Sequence, residues 1–260
     1  MNFINFLKLP YLDEIKDLNS PQATIIKSRI IQRNIFLKNL YTDFYTVFKN
    51  SIPNLSRRIK LVELGSGGGF IKELIPDVIT SDVIELPNVD LKFSAEHMPF
   101  KNETIDRFFA LNVIHHIHDP LAFFKEVNRC LKLRGKLIAI EPANTLWGRF
   151  INKNFQTYER FDPKDGWRLK PQKAFPDANG ALPWIIFIRD RDKFERQFPH
   201  LKIKKIIPHT PIRYLISGGL SYRNFLPSWT YPAVKNLENV LMPLNRYIGM
   251  YYTIEIEKRI

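Results

Sequence analysis

Glu63-Leu64-Gly65-Ser66-Gly67-Gly68-Gly69 closes an apolar run that begins at Ile59. A buried strand that breaks into glycine lets the backbone approach a ligand closely, and the helix that follows offers free N–H groups. Two familiar versions of this turn are disfavoured. The dinucleotide fingerprint needs a third glycine or alanine for close helix packing, and Phe70 stands there, which weakens an NAD oxidoreductase. A phosphate-binding loop needs Gly-Lys-Ser/Thr, and none follows.

Working downstream, Val78–Val83 reads as a second strand ending at Asp82, Val89–Phe93 as a third, Ile105–Leu111 as a fourth and Lys136–Ile140 as a fifth. Phe70–Leu74 is a short helix. Pro120–Leu131 is a longer one with Leu121, Phe124, Val127 and Leu131 on one face. Strands alternating with helices imply a parallel α/β sheet with right-handed crossovers. Asp82, one crossover after the glycine turn, has two oxygens able to accept from both hydroxyls of a ribose. Further on, Asp190–Phe198 reads as a helix, Leu201–Ile207 as a strand, Val234–Leu241 as a helix and Met250–Glu257 as a last strand. Upstream, Ser20 and Pro21 start an amphipathic helix or helix pair to residue 50, with Ile25, Ile30, Leu37, Leu40 and Phe44 at helical spacing. Pro53–Lys60 reads as a linker.

The segment from residue 61 to 142 resembles the class I S-adenosylmethionine (SAM)-dependent methyltransferases, and most closely their small-molecule and lipid branch. Beside the glycine turn and Asp82, the resemblance is carried by Ser94-Ala95-Glu96-His97-Met98-Pro99-Phe100, Ile105-Asp106, Leu111-Asn112-Val113-Ile114-His115-His116-Ile117-His118-Asp119-Pro120 and Glu126 to Leu137. It implies a Rossmann-like fold with a seven-stranded, mostly parallel sheet in the order 3-2-1-4-5-7-6. Leu201–Ile207 would be strand six and Met250–Glu257 strand seven. It implies SAM as cofactor, with Glu63, Gly65, Ser66 and Gly67 along the methionine, Asp82 on the ribose and Val83 against the adenine. Ser94, Ala95 and Glu96 would lie at the adenine edge, and Leu111 and Asn112 near the methionyl moiety. The family usually has Asp where this chain has Ser94; a hydroxyl accepts more weakly than a carboxylate. Ile30 to Tyr45, Asn179 to Trp184 and Leu215 to Gly219 resemble a bacterial subgroup of the same family. The implied organisation is a helical cover at 1–58 and a methyltransferase domain at 59–260, with substrate-side insertions at 143–183 and 208–249.

His115 and His116 are the candidate catalytic bases, because histidine titrates near neutral pH. A packing reading puts His116 in the core, with His115 and His118 capping or facing solvent. Adjacent histidines on a helix point about 100° apart and share an ion poorly, so no metal is expected. Glu159, Arg160, Asp162, His209 and Arg213 lie where an acceptor should bind, and more commonly such residues are surface or loop charges. No Asn/Asp-Pro-Pro-aromatic sequence of the kind associated with amine methylation is present, so oxygen is the expected acceptor atom.

Composition sets the remaining bounds. One cysteine, Cys130, excludes an internal disulfide and a multi-cysteine metal site, and its apolar neighbours mark it as a core residue. The net charge is +13, unevenly spread. Residues 1–60 hold ten Lys/Arg against four Asp/Glu, residues 61–142 nine against twelve, and residues 143–260 twenty against ten. Such flanks suit an anionic partner: a lipid-linked or otherwise anionic acceptor, a membrane surface or nucleic acid. No RNA-binding module is recognisable, which ranks an RNA methyltransferase second. A non-catalytic binding protein on the same scaffold is the reading from a different class. Met1–Pro10 lacks the pattern of a secretory leader, and no stretch reaches the ~20 apolar residues of a spanning helix. The expected location is cytoplasmic, with peripheral contact at the inner face of a membrane.

Overall fold

The computed structural model describes residues 9, 20–54, 58–155, 159–169 and 178–260. Met1–Pro10, apart from Leu9, lies outside these residues, as does part of the linker before Lys60. Helix α1 (Pro21–Arg33) starts where Ser20 accepts from Ala23 N at 3.2 Å and Pro21 occupies the first turn. Of the single helix or helix pair expected to residue 50, the structure shows the pair, divided at Asn34. That residue turns extended, and its side chain accepts from Leu37 N at 3.0 Å to start α2 (Ile35–Asn50). Its amide also donates to Ser217 O at 2.8 Å. α2 buries Phe36, Leu40, Phe44 and Phe48 in one stripe, and Phe48 stacks on Phe109 at 4.9 Å.

Seven strands form one sheet: β1 (Leu61–Leu64), β2 (Ile79–Asp82), β3 (Leu91–Lys92), β4 (Ile105–Leu111), β5 (Leu131–Pro142), β6 (Leu201–His209) and β7 (Tyr251–Lys258). Their order is β3-β2-β1-β4-β5-β7-β6. β1 to β5 are parallel, and β7 runs antiparallel to both β5 and β6. This is the Rossmann-like architecture with the expected strand order. Pro208 is tolerated in β6 because that strand is an edge.

The pleat sends neighbouring residues to opposite faces. Phe108 and Leu137 join one core with Phe124, Phe187 and Phe194. Phe109 and Ile138 join the other with Phe36, Phe44 and Phe48 of α2. The longer of the remaining helices among the described residues are α3 (Pro120–Cys130), α4 (Leu146–Asn154), α5 (Arg191–Gln197) and α6 (Tyr231–Val240). Cys130 is buried, and burial pushes its thiol up to about 11. α2 is tied to the segment between β6 and β7 by ions. Arg213 bonds Asp43 and Glu238, Tyr231 Oη donates to Asp43 at 2.7 Å, and Lys235 reaches Asp43 at 2.8 Å. Among the described residues no helix is long and apolar enough to cross a membrane.

Candidate active site

The site lies at the C-terminal ends of β1, β2, β4 and β5, where a doubly wound sheet leaves its crevice. Two adjoining cavities share Lys27, Gly65, Gly67, Gly68, Asn112 and His116. The first, about 180 Å³, is also lined by Tyr41, Glu63, His115, Glu159, Tyr214 and Tyr251. The second, about 520 Å³, is lined by Asp82, Val83, Ile84, Ser94, Ala95, Glu96 and Val113. Leu111 and Ser66 belong to the first. All the residues expected around a cofactor therefore border one continuous crevice.

The glycine turn is held by its neighbours. Gly65 and Gly67 have φ of +60° and +49°, a region that L side chains avoid. Gly67 N donates to Asp82 Oδ2 at 2.8 Å, and Asp82 Oδ1 accepts from Ile84 N at 3.0 Å. Asp82 thus fastens the turn as well as bordering the larger cavity. Gly68 packs against helix α1: a Cβ there would come within 2.8 Å of Ser28 N. Ser94 Oγ accepts from Glu96 N at 3.2 Å, and Glu96 Oε1 accepts from Asp119 N at 2.9 Å, so Glu96 also fixes the start of α3.

The histidine cluster departs from its expected packing. His115 is the buried one, its side chain 3% exposed, while His116 keeps 39% of its side-chain surface. The cause is Glu141 at the end of β5, which is fully buried. It accepts from Val113 N at 2.8 Å and Ile114 N at 2.7 Å, and lies 2.6 Å from His115 Nδ1. The carboxylate anchors the turn after β4 and draws the first histidine inward. Glu159 faces the other side, 3.4 Å from His115 Nε2 and 3.6 Å from His116 Nε2.

Burial opposes a charge on His115, yet Glu141 and then Glu159 overcome it, raising its pKa to about 10. Desolvation of the half-buried Glu159 opposes its charge, but His115, His116 and Lys27 hold it well below the usual carboxylate range. Desolvation and the charges of His115 and Lys27 keep His116 below the ordinary histidine range, against the pull of Glu159. At neutral pH the cluster holds a charged His115 between two carboxylates and a neutral His116 at the cavity wall.

The 100° objection to a shared ion does not hold here. The two histidines lie in a tight 3₁₀ turn, their rings 4.2 Å apart. Ligand atoms of His115, His116 and Glu159 all fall within 4.8 Å of one another, close enough to hold an ion. Lys27, whose charge reaches both His116 and Glu159, is already a cation beside them.

Residues 62–139 match the model of a methyltransferase domain family. That segment of the chain is similar to SAM-dependent methyltransferase domains. It is 26% identical over 173 residues to 2-methyl-6-phytyl-1,4-hydroquinone methyltransferase 2, chloroplastic, of Oryza sativa subsp. japonica, covering 59% of this chain and 42% of that protein. An uncharacterized protein of Methanocaldococcus jannaschii is 28% identical over 102 residues, covering 39% of this chain and 34% of that one. The matches thus span less than half the length of either relative. Among solved structures, a SAM-dependent methyltransferase from Thermotoga maritima superposes with TM-score 0.52 at 15% identity, covering 96% of this chain and 97% of that one. The Haloferax volcanii methyltransferase bound to its Trm112 activator gives 0.50 at 11% identity, covering 92% and 95%. These likenesses establish the fold.

SAM is the family's cofactor, and the residues present fit it. Glu63 is buried beside the glycine turn, and its Oε2 has no hydrogen-bond partner among the described residues. A buried acceptor at a cavity wall suits the cationic end of SAM. Burial, helped by the Asp82 charge and opposed by Ser66, raises the Glu63 pKa to about 7. A bound cation favours the carboxylate, so binding releases a proton near neutral pH. SAM affinity is expected to rise as pH increases through about 7, then level off. Calorimetry in buffers of different ionisation enthalpy measures that proton, and a pH-independent affinity with no proton release would refute the assignment.

Sequence reasoning missed Glu141 and the tyrosine wall of Tyr41, Tyr214 and Tyr251. Glu141 did leave a signal: it is a lone acid ending the apolar run Leu137-Ile138-Ala139-Ile140. A carboxylate there must find donors, since an unpaired buried charge is costly. The tyrosines left none, because they come from α2, the segment after β6 and β7.

Proposed function

We propose that the chain transfers the methyl group of SAM to an oxygen of a small-molecule, glycan or lipid-linked acceptor. The supporting observation is His116 at the wall shared by both cavities, beside a buried His115 held between Glu141 and Glu159. When bound, SAM supplies an activated methyl for in-line displacement. Glu63, the glycine turn and Asp82 bind and orient it, and most of the rate comes from that alignment. His116 takes the proton of an acceptor hydroxyl. His115 positions it and, being charged, keeps its neighbour neutral. Tyr41, Tyr214 and Tyr251 narrow the acceptor end and limit water there.

The test is transfer of labelled methyl from SAM to a panel of hydroxylated acceptors, lipid-linked sugars included, with the product read by mass spectrometry. His116→Ala is expected to lower kcat about 100-fold, within the range for a general base, with KM for SAM little changed. The wild-type rate should show no fall near pH 6.5, because His116 stays neutral below that pH. An N-methyl product would overturn the oxygen assignment. Failure of the folded protein to bind SAM would favour a binding protein on the same scaffold. Chelators should leave the rate unchanged. Activity lost to a chelator and restored by a divalent ion would put a metal on His115, His116 and Glu159 in place of the base.

A further inference from the structure

The segment between β6 and β7 carries a face that the methyl-transfer site does not use. Trp229 is 80% exposed, Val240 77% and Met242 66%, and Phe225, Leu237 and Leu244 are also exposed. Large apolar side chains stand outward from turns and from helix α6, set off by Pro227, Pro232 and Pro243. Protein partners usually fill grooves around a packed centre, whereas outward apolar tips suit insertion into a lipid surface. Trp229 and Tyr247 are the amphipathic aromatics favoured at the level of lipid headgroups.

Charge points the same way. From residue 221 to 250 the chain holds Arg223, Lys235 and Arg246 against a single acid, Glu238. Glu238 is buried and bound to Arg213, so it adds no negative charge to the surface. Arg223 and Arg246 are exposed, and Arg246 lies over the Tyr247 ring at 4.5 Å. The outer face therefore presents apolar and basic groups with no exposed carboxylate from the segment itself. An anionic bilayer complements both.

We infer that residues 225–247 seat the protein on an anionic membrane surface. The chain on either side of this segment lines the smaller cavity, through Tyr214 and Leu220 before it and Met250 after it. A protein seated in this way holds its acceptor pocket close to the headgroups, which suits a lipid-linked acceptor. The inference rests on the functional reading above for the acceptor alone. Membrane binding itself needs neither SAM nor turnover.

The experiment is flotation of the full chain with vesicles of phosphatidylcholine alone, and of phosphatidylcholine mixed with phosphatidylglycerol, without SAM. The wild type is expected to float with the mixed vesicles and much less with the neutral ones. The double variant W229S/M242S removes two exposed apolar tips and should weaken flotation about tenfold or more. Calorimetry with SAM on the same variant should match the wild type, which separates loss of the surface from loss of the fold or of the cofactor site. Absence of flotation with either vesicle overturns the proposal. So does flotation unchanged in W229S/M242S, since that is adsorption by charge alone. A wild-type dimer in sedimentation velocity that W229S/M242S converts to monomer also overturns it, because the face then belongs to a second copy of the chain.

Discussion

Glu141→Ala is expected to lose about 3–5 kcal/mol of folding stability, the usual cost of removing one partner from a buried charged pair. The carboxylate sits at the end of a central strand and serves Val113 N, Ile114 N and His115 Nδ1 together. Its removal strands two buried donors and leaves His115 without its strongest partner. Denaturant unfolding across pH gives a second reading. The folded-state pKa of His115, about 10, lies above its ordinary 6.5. The stabilisation is fully present below pH 6.5 and is lost as pH rises through about 10. The gap between wild type and variant should therefore narrow over that window. A gap constant with pH would mean that Glu141 acts through the backbone donors alone. Glu141→Gln keeps an acceptor and should cost less, about 1–2 kcal/mol.

Asp82→Ala is expected to weaken SAM binding about 100-fold, a loss in line with charged hydrogen bonds. Two effects add. The ribose loses its acceptor, and the glycine turn loses the bond from Gly67 N that fixes it. Asp82→Asn retains a carbonyl oxygen for one of these and should fall between. Calorimetric titration with SAM measures all three proteins. Wild-type affinity in Asp82→Ala would remove the residue from the site and leave it only a loop fastener.

The legibility of the chain follows from how local each cause is. β4 was readable to the residue because all seven positions from Ile105 to Leu111 are buried, so the apolar run has the length of the strand. β3 was read too long: Val89–Phe93 shrinks to Leu91–Lys92, exposed at the end of the sheet, where burial imposes no pattern. The place of the break at Asn34 was only half legible: its capping bond from Leu37 N is local, but its bond to Ser217 O comes from 183 residues away. The residues expected around a cofactor come together in one crevice because strand, turn and Asp82 follow one another along the chain. The acceptor side was not. Which histidine is buried depends on Glu141, 26 residues downstream, and the tyrosine wall is assembled from three distant segments.

The ties between α2 and the β6–β7 segment have a consequence for the order of assembly. Asp43 is 170 residues from Arg213 and 192 from Lys235. The partners of α2 on that side are therefore synthesised long after it. Contacts of such separation form late, since the entropy of closing so long a loop is lost before any contact is gained. Helices α1 and α2 are made before these partners and dock only once they are present. Until they do, Phe109, Ile138 and the outer half of the crevice stand uncovered. In native-state hydrogen exchange the amides of α1 and α2 should open together, at lower free energy than those of β4.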